Sequence, residues 1–261
     1  MIPESFIESW RTNAKWQNLV QVEQDLVISR ALIELYNEPY IKEVLVFRGG
    51  TALNKLFLHP ATRYSEDIDF VQKNPEPIGQ TIDHIRNVLQ SWLGEPKWKI
   101  TERSAKLVYK YDAINKLPAK LKIEINTTEH FHVLPLKIVP FVMNSEWFQG
   151  KTNIITYEID ELMATKLRAL YQRRKGRDLF DLWYVSSQNL INIDRVIKIF
   201  QQYCANDGLK ISGEQFRQNL TLKKNNKDFK IDMNVLLSSN INWSFEKAFD
   251  FVMQKIISRL P

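Results

Sequence analysis

Two aspartates one residue apart, Asp67 and Asp69, are the residues of this sequence whose type and spacing most clearly suggest chemistry. They lie in the segment SEDIDFV, where polar and apolar residues alternate as they do in a strand with one buried face. Both carboxylates then project from one face, while Ile68 and Phe70 anchor the other face in the core. Two parallel carboxylates repel each other, so the pair needs cations. The pattern indicates a metal site, and a solvated acidic strand face is the alternative.

A third carboxylate lies in the segment KLKIEIN, which also alternates between polar and apolar residues. The apolar residues take one face of the predicted strand, and Glu124 takes the other. If this strand lies beside the one that carries the aspartates, all three carboxylates project from one open face. Two-metal phosphoryl-transfer sites hold their ions about 3.5–4 Å apart on such carboxylates. We therefore predict that Asp67, Asp69 and Glu124 are metal ligands.

The Gly-Gly pair Gly49–Gly50 follows the short apolar run VLVF and precedes a predicted helix over Thr51–Leu58. Glycines at such a turn let the backbone bend sharply and let a ligand approach it closely. The free N–H groups at the start of the helix suit a phosphate group, and Thr51 is the first residue that could share in binding it. A plain strand-to-helix turn is the alternative. One helix and a return loop separate Gly50 from Asp67, so we expect turn and aspartates to meet at one end of a sheet.

Three further polar residues flank this turn. Lys55 follows Gly50 by five residues on the predicted helix and could face bound phosphates. Arg63 and Ser65 precede the aspartates on the predicted metal face, where they could orient a phosphate or a metal-bound water. For Lys55 and Arg63 a solvated side chain is the alternative.

The second half of the chain places charges on apolar helix faces. Lys166 falls in the middle of the apolar arc of a helix predicted over Glu158–Arg173, where it needs a partner or must reach solvent. Asp178 and Asp181, three residues apart, lie in the mostly apolar segment RDLFDLWYV. Buried acids need counter-charges, which makes an ion-pair network between two helices the alternative to a functional site. The candidate counter-charges are Lys166, Arg173 and Arg177.

Composition bounds the class of protein. The 261 residues are 44% hydrophobic, with 14 Phe, 9 Tyr and 7 Trp, which excludes a disordered chain. Cys204 is the only cysteine, which excludes an intrachain disulfide and a multi-cysteine zinc site and suits a reducing compartment. There is no long apolar run and no apolar signal core, so we expect a soluble cytoplasmic protein. The net charge of +6 permits a polyanionic partner; basic clusters at Arg173–Arg177, Lys116–Lys122 and Lys223–Lys230 could contact an RNA backbone.

The remaining patterning predicts an α+β half over residues 1–150 and a helical half over residues 151–261. The α+β half holds the glycine turn and the three carboxylates, and the helical half holds the buried charges. The predicted helices of the first half are Ser5–Tyr36, Thr51–Leu58 and Ile78–Leu93. Its predicted strands are Val44–Phe47, Ser65–Val71, Trp98–Thr101, Leu107–Tyr111, Leu121–Asn126 and Leu136–Val142.

The chain has a GGT turn that opens a helix, then the segment RYSEDIDF, and then a later strand with a glutamate. This order of motifs resembles the DNA polymerase β-type nucleotidyltransferase superfamily. With the segments QVEQDLVISRALIEL and KLRALYQRRKGRDLFDL, the fuller pattern is similar to the AbiEii/AbiGii toxin family, the toxin halves of bacterial abortive-infection and toxin–antitoxin systems. The match extends from about Gln21 to Trp183. The resemblance implies a polymerase β-like nucleotidyltransferase fold with a mixed sheet, followed by a helical C-terminal half.

The resemblance also implies a Mg²⁺-dependent enzyme that transfers a nucleoside monophosphate from a nucleoside triphosphate (NTP) to RNA. It suggests the 3′ end of a tRNA as acceptor, growth arrest as the outcome, two Mg²⁺ ions and a cognate antitoxin. A non-catalytic nucleotide- or RNA-binding module and a metal-dependent nuclease stay open as alternatives. The implied catalytic residues are Asp67, Asp69, Glu124, Lys166 and Asp178. The implied nucleotide-binding residues are Gly49, Gly50, Thr51, Lys55, Arg63, Ser65 and Arg177.

Overall fold

A computed structural model describes residues 2–238 and 240–261 of the chain. It divides into two compact units. Unit 1 comprises the residues up to His132 together with Leu136–Tyr157, and unit 2 comprises Val133–Pro135 together with Glu158–Pro261. None of the helices described has the length and apolar character that crossing a membrane requires.

Unit 1 is built on a seven-stranded mixed sheet. Its strands are β1 (Leu45–Arg48), β2 (Asp67–Gln72), β3 (Lys97–Ile100), β4 (Ser104–Asp112), β5 (Pro118–Asn126), β6 (Lys137–Asn144) and β7 (Gln149–Thr156). Their order across the sheet is β3-β4-β5-β2-β1-β7-β6. The antiparallel meander predicted for the middle of the chain is present as β3, β4 and β5.

The aspartate strand β2 lies at the centre of this sheet. It pairs antiparallel with β1, which leads into the glycine turn, and parallel with β5, which carries Glu124. Ile68 and Phe70 are buried, whereas Asp67 and Asp69 are half-buried on the opposite face. The alternation predicted from the sequence is therefore confirmed, as is the pairing of the aspartate strand with the glutamate strand.

The helices of unit 1 differ from the prediction at their ends. They are α1 (Glu4–Trp10), α2 (Leu19–Asn37), α3 (Pro39–Val44), α4 (Gly49–Leu56) and α5 (Gly79–Leu93). The single helix predicted over Ser5–Tyr36 is two helices, because the Asn18 side chain accepts a hydrogen bond from the Val20 N–H and starts α2 there. Helix α4 begins at the glycines themselves, two residues before the predicted start.

Helix α2 packs on the sheet and is buried over most of its length. Leu26, Ile28 and Leu32 are fully buried, and the Tyr36 hydroxyl donates to the Ile155 carbonyl at 3.0 Å. Burial of this helix fixes the strands on which the candidate site residues lie.

Unit 2 is helical, as predicted. It contains α6 (Ile159–Gln172), α7 (Gly176–Ser187), α8 (Ile193–Asn206), α9 (Gly213–Lys224), α10 (Lys227–Ile231) and α11 (Phe245–Lys255), and a 3₁₀ turn over Ile257–Arg259. The buried Glu161 accepts the N–H groups of Val133 and Leu134 at 2.7 and 2.8 Å, which ties that short segment to this unit. The predicted fold class, an α+β fold with a mixed sheet followed by helices, is confirmed.

Candidate active site

The glycine turn and the aspartate strand meet directly. Gly49 has φ +84°, in the left-handed region that favours glycine, and a Cβ there would lie 2.4 Å from Oδ2 of Asp69. Strand pairing places Arg48, the residue before the turn, opposite Asp69. The N-cap residue of α4, Arg48, makes no side-chain hydrogen bond to the start of the helix, and the Asp69 carboxylate lies beside the first helical residue. The sequence prediction that these two features share one end of the sheet agrees with this geometry.

The second glycine lies against two other predicted site residues. A Cβ on Gly50 would lie 2.4 Å from a guanidinium nitrogen of Arg63 and 3.2 Å from Oγ of Ser65. Arg63 is 2% exposed and donates to the Tyr64 carbonyl at 3.1 Å. It is therefore a buried residue that supports the turn, and the solvated alternative for Arg63 does not describe this structure.

Thr51 ties the turn to β2 through its side chain. Its hydroxyl is buried and lies within hydrogen-bonding distance of the Ser65 Oγ, at 2.8 Å, and of the Asp67 carbonyl. Because these neighbours occupy the hydroxyl, Thr51 can offer a phosphate its backbone N–H and not its side chain.

Replacing Gly49 with alanine is expected to slow catalysis about a hundredfold, because the new Cβ must displace the Asp69 carboxylate. Gly94 provides a matched control: it also has positive φ, +70°, but nothing lies within 4 Å of a Cβ built on it. Both alanine variants should lose about 1–3 kcal/mol of stability, because a positive φ strains an alanine backbone. Thermal unfolding of the two variants measures the backbone strain, and their initial rates measure the effect of displacing the Asp69 carboxylate. Equal rates in Gly49→Ala and Gly94→Ala would show that the close approach of Gly49 to Asp69 is not important for catalysis.

Glu124 lies directly across from Asp69 in the parallel register, but two lysines hold its carboxylate. Lys122 donates to Glu124 Oε2 at 3.1 Å and to Asp67 Oδ2 at 3.2 Å, and Lys106 lies 3.1 Å from Glu124 Oε1. Within residues 2–238 and 240–261, no three His, Cys, Asp or Glu side chains are arranged to hold a metal ion. The predicted ligation by Glu124 would require displacement of Lys122 and Lys106.

The same lysines change the acid–base character of Glu124. Partial burial opposes its charged form, but the hydrogen bonds and charges of Lys106 and Lys122 outweigh burial and lower its pKa. A carboxylate with a lowered pKa is a weaker proton acceptor, and the best general bases have a pKa near the working pH. This arrangement therefore does not favour Glu124 as the group that deprotonates an acceptor hydroxyl.

The Lys55 side chain is mostly buried and pairs with residues of α2. Its ammonium group lies 2.9 Å from Asp25 Oδ2 and 2.8 Å from Ser29 Oγ, and its side chain is 10% exposed. These residues line a cavity that His59 also borders. The pairing gives Lys55 a structural task, and its predicted phosphate contact stays a prediction.

Replacement of Lys55 with methionine tests that assignment. The change leaves the mostly buried Asp25 without its ammonium partner, so we expect a loss of about 2 kcal/mol in unfolding free energy. Binding of fluorescent NTP analogues should remain unchanged. The exposed Lys15, replaced in the same way, serves as the control for loss of charge. A Lys55→Met protein of normal stability with weakened NTP binding would instead support the phosphate contact.

In unit 2 the buried charges form a compact ion-pair cluster. The Lys166 ammonium lies 3.1 Å from Asp178 Oδ1 and 3.1 Å from Asp181 Oδ2. Arg173 donates to both carboxylate oxygens of Asp178, at 2.7 and 2.9 Å. Lys166 is 7% exposed and the two aspartates are at most 1% exposed. The network between two helices that the sequence left open as an alternative is thus present.

Burial and charge act on Asp178 in opposite directions. Burial alone would raise its pKa, but Lys166 and Arg173 outweigh burial and lower the pKa to about 2. Asp178 is therefore ionised in the folded protein at any pH of biological interest. The catalytic roles implied for Asp178 and Lys166 stay predictions, as does the nucleotide-binding role of Arg177, whose backbone N–H donates to Asp232 at 3.0 Å.

Reasoning from sequence missed Lys106 and Lys122 as members of the site. Lys122 lies two residues before Glu124 on the same strand face, so the alternation of KLKIEIN was itself a signal for it. Lys106 gave no such signal, because its position opposite Glu124 depends on the pairing of β4 with β5.

Two solved structures have folds similar to that of this chain. MenT4, a nucleotidyltransferase toxin from Mycobacterium tuberculosis H37Rv, has a similar structure with a TM-score of 0.70 at 16% identity, over 100% of this chain and 91% of that one. JHP933 from Helicobacter pylori gives a TM-score of 0.57 at 17% identity, over 89% of this chain and 88% of that one. These likenesses show the fold. No curated protein sequence matches significantly.

The family comparison covers most of the chain. Residues 30–251 match the model of the AbiEii toxin, a nucleotidyl transferase of type IV toxin–antitoxin systems. The matched region contains the glycine turn, the aspartate strand, the glutamate strand and the ion-pair cluster of unit 2. The chain therefore belongs to the AbiEii family of nucleotidyltransferase toxins of type IV toxin–antitoxin systems.

Proposed function

We propose that this chain uses Mg²⁺ to transfer a nucleoside monophosphate from an NTP to a hydroxyl group of an RNA, with the 3′ end of a tRNA as acceptor. The observation that carries the proposal is the close approach of Gly49 to the Asp69 carboxylate, which brings a helix N-terminus beside the aspartate strand. Phosphate and metal ligands must lie together in a site that handles a metal-bound triphosphate.

The chain's own residues suit these tasks. The N–H groups at the start of α4 can bind phosphate oxygens, and the close fit of the buried Gly50 against Arg63 holds a guanidinium group beside them. The half-buried carboxylates of Asp67 and Asp69 are the hard oxygen ligands that Mg²⁺ prefers. A bound Mg²⁺ would neutralise phosphate charge and polarise the phosphorus that is attacked.

The pair Asp67 and Asp69 suits a single Mg²⁺ ion better than the three predicted carboxylate ligands suit two Mg²⁺ ions. Lys122 and Lys106 both pair with Glu124, and of these two lysines Lys122 also pairs with Asp67. We therefore assign the first Mg²⁺ to the two aspartates, where, of the two lysines, it would have to displace only Lys122. A second ion on Glu124 would have to displace Lys106 as well.

The net charge of the chain and its family support the choice of acceptor and of cellular compartment. A net charge of +6 favours a polyanionic acceptor such as RNA, and the resemblance to the toxin family suggests tRNA and growth arrest. Membership of a type IV toxin–antitoxin family implies a cognate antitoxin and an NTP substrate. We place the reaction in the cytoplasm, where NTP and tRNA are both available.

The direct test incubates the purified protein with each α-labelled NTP in turn, Mg²⁺ and total tRNA. Label on intact tRNA supports the proposal and identifies the nucleotide. Shortened RNA fragments would assign the chain as a metal-dependent nuclease. Intact unlabelled RNA with measurable NTP or tRNA binding would assign it as a non-catalytic binding module. Repeating the reaction with EDTA tests the need for the metal.

A further inference from the structure

One face of the sheet beside the candidate site is covered with lysines. The strands β4 and β5 bury their other face, where Leu107, Tyr109 and Ile123 are fully buried, and the edge strand β3 is exposed throughout. Alternation and register place six lysines on the open face, which we call the lysine face. They are Lys97 and Lys99 on β3, Lys106 and Lys110 on β4, and Lys120 and Lys122 on β5.

The strand register aligns this face with the carboxylates. Lys99 lies opposite Lys106, Lys106 opposite Glu124, and Glu124 opposite Asp69. These four residues form one unbroken row from the edge strand to the aspartate strand. Since neighbouring strands lie 4.7–4.9 Å apart, the row is roughly 14 Å long. The lysine face is therefore continuous with the site where the transfer is proposed to occur.

Four of the six lysines form no ion pair within the described part of the chain. Lys106 and Lys122 are paired with Glu124 and Asp67. Lys97, Lys99, Lys110 and Lys120 are exposed, and among residues 2–238 and 240–261 no acidic side chain forms an ion pair with them. The lysine face therefore carries positive charge that no ion pair within the described residues neutralises, and a partner could neutralise it.

This arrangement works against the stability of the sheet. Lys99 lies directly opposite Lys106, and Lys110 directly opposite Lys120. Like charges in directly opposed positions destabilise a pair of strands. Protection of a sheet edge from aggregation would explain the lysines on β3, and also Lys110, which lies past the β4 residues that β3 pairs. It would not explain Lys120, because β5 is paired with β4 at that position. A polyanionic partner explains all four positions.

We propose that the lysine face binds the phosphate backbone of the acceptor RNA and leads its reactive end to Asp67 and Asp69. The inference deepens the proposed function and rests on it for the identity of the acceptor. A triphosphate alone does not account for the face, because the lysines extend over three strands away from the glycine turn. A nucleic-acid backbone presents a charge at every nucleotide and can follow such a row.

The test compares two variants of the full chain with equal loss of charge. The first replaces Lys97, Lys99, Lys110 and Lys120 with glutamine. The control replaces four exposed lysines outside the face with glutamine: Lys15, Lys151, Lys198 and Lys210. Fluorescence anisotropy with labelled total tRNA, without NTP and at several salt concentrations, gives the affinity and its salt dependence.

We expect the face variant to bind tRNA at least about tenfold more weakly, and its plot of log affinity against log salt to be shallower by about 2 to 3. The control variant should bind as the wild type does. Thermal unfolding of the face variant should show equal or higher stability, because the opposed lysine pairs are gone. Should the fourfold variant misfold, Lys110→Gln with Lys120→Gln, against Lys15→Gln with Lys151→Gln, answers the same question.

Three results would overturn the inference: a wild-type protein that does not bind tRNA, equal weakening in both variants, or a face variant that keeps wild-type affinity. Self-association of a face variant with normal tRNA affinity belongs to the last case and would assign the lysines to edge protection. Because binding is measured without NTP, tRNA binding through this face in a chain that transfers no label contradicts the proposed function alone.

Discussion

Replacing Asp69 with asparagine is expected to lower the rate of nucleotidyl transfer by about a thousandfold or more. Asparagine has nearly the same shape, so it fits the space against Gly49, but it lacks the charge that holds a divalent cation. Strand pairing makes Asp69 the neighbour of both Arg48 and Glu124, which places it at the centre of the candidate site. Initial rates of label transfer from the preferred NTP to tRNA provide the measurement.

Asp83 provides the matched control for this prediction. It is an exposed aspartate on α5, so Asp83→Asn removes the same charge outside both the glycine turn and the lysine face. Circular dichroism and thermal unfolding should show that both variants keep the fold. An Asp69→Asn protein with wild-type rates would show that the aspartate strand is not the metal-binding strand. A loss of rate in both variants would point to net charge and not to the site.

The meeting of glycine turn and aspartate strand was predictable because both depend on local pattern. The alternation around Ile68 and Phe70 fixes which side chains are buried, and the short connection between Gly50 and Asp67 favours adjacent strands. The antiparallel pairing of β1 with β2 then places the turn beside Asp69. No long-range information was needed for this part of the site.

The surroundings of Glu124 depend on contacts distant in sequence. Lys122 bridges to Asp67 because β5 pairs parallel with β2, and Lys106 reaches Glu124 because β4 pairs with β5 in one particular register. A shift of one residue would turn every side chain of a strand to the opposite face. The alternation of a single strand cannot fix that register, so the sequence predicted three carboxylates and not their two ammonium partners.

Two further departures have similar causes. Strand β7 was not predicted, since only Ile154 and Thr156 near its end are buried and its sequence, QGKTNIIT, shows little apolar alternation. Lys55 was predicted to face phosphates because it follows Gly50 by five residues. In the structure its side of α4 faces α2, where its ammonium group donates to Asp25 and Ser29. The partner of a helical side chain depends on tertiary packing, which spacing alone does not specify.

Replacing Asp178 with asparagine is expected to destabilise unit 2 by about 3–5 kcal/mol, whatever its effect on catalysis. The carboxylate is fully buried and receives hydrogen bonds from Lys166 and from both nitrogens of the Arg173 fork. An amide in its place leaves Lys166 as a buried ammonium whose remaining neighbour is Asp181. Urea unfolding, with hydrogen exchange of peptides from α6 and α7, measures the loss and places it in this unit.

Asp194 gives the control for charge removal in unit 2. Its side chain is 69% exposed and pairs with Arg259 on the surface, so Asp194→Asn should change stability by less than about 1 kcal/mol. If Asp178→Asn is as stable as Asp194→Asn but transfers no nucleotide, the ion-pair cluster is not a structural requirement, and the catalytic role implied by the family resemblance gains support.

The pH dependence of stability gives an independent test of the same cluster. Burial would raise the pKa of Asp178, but Lys166 and Arg173 lower it to about 2, whereas an unfolded aspartate titrates near about 3.9. As the pH falls, the unfolded chain therefore binds the proton first, and the stabilisation by Asp178, complete above about pH 5, is lost as the pH falls through about 2. Asp178→Asn should lose less stability than the wild type between about pH 5 and pH 2. Parallel stability curves over that interval would mean that the ion pairs with Lys166 and Arg173 do not stabilise the folded state.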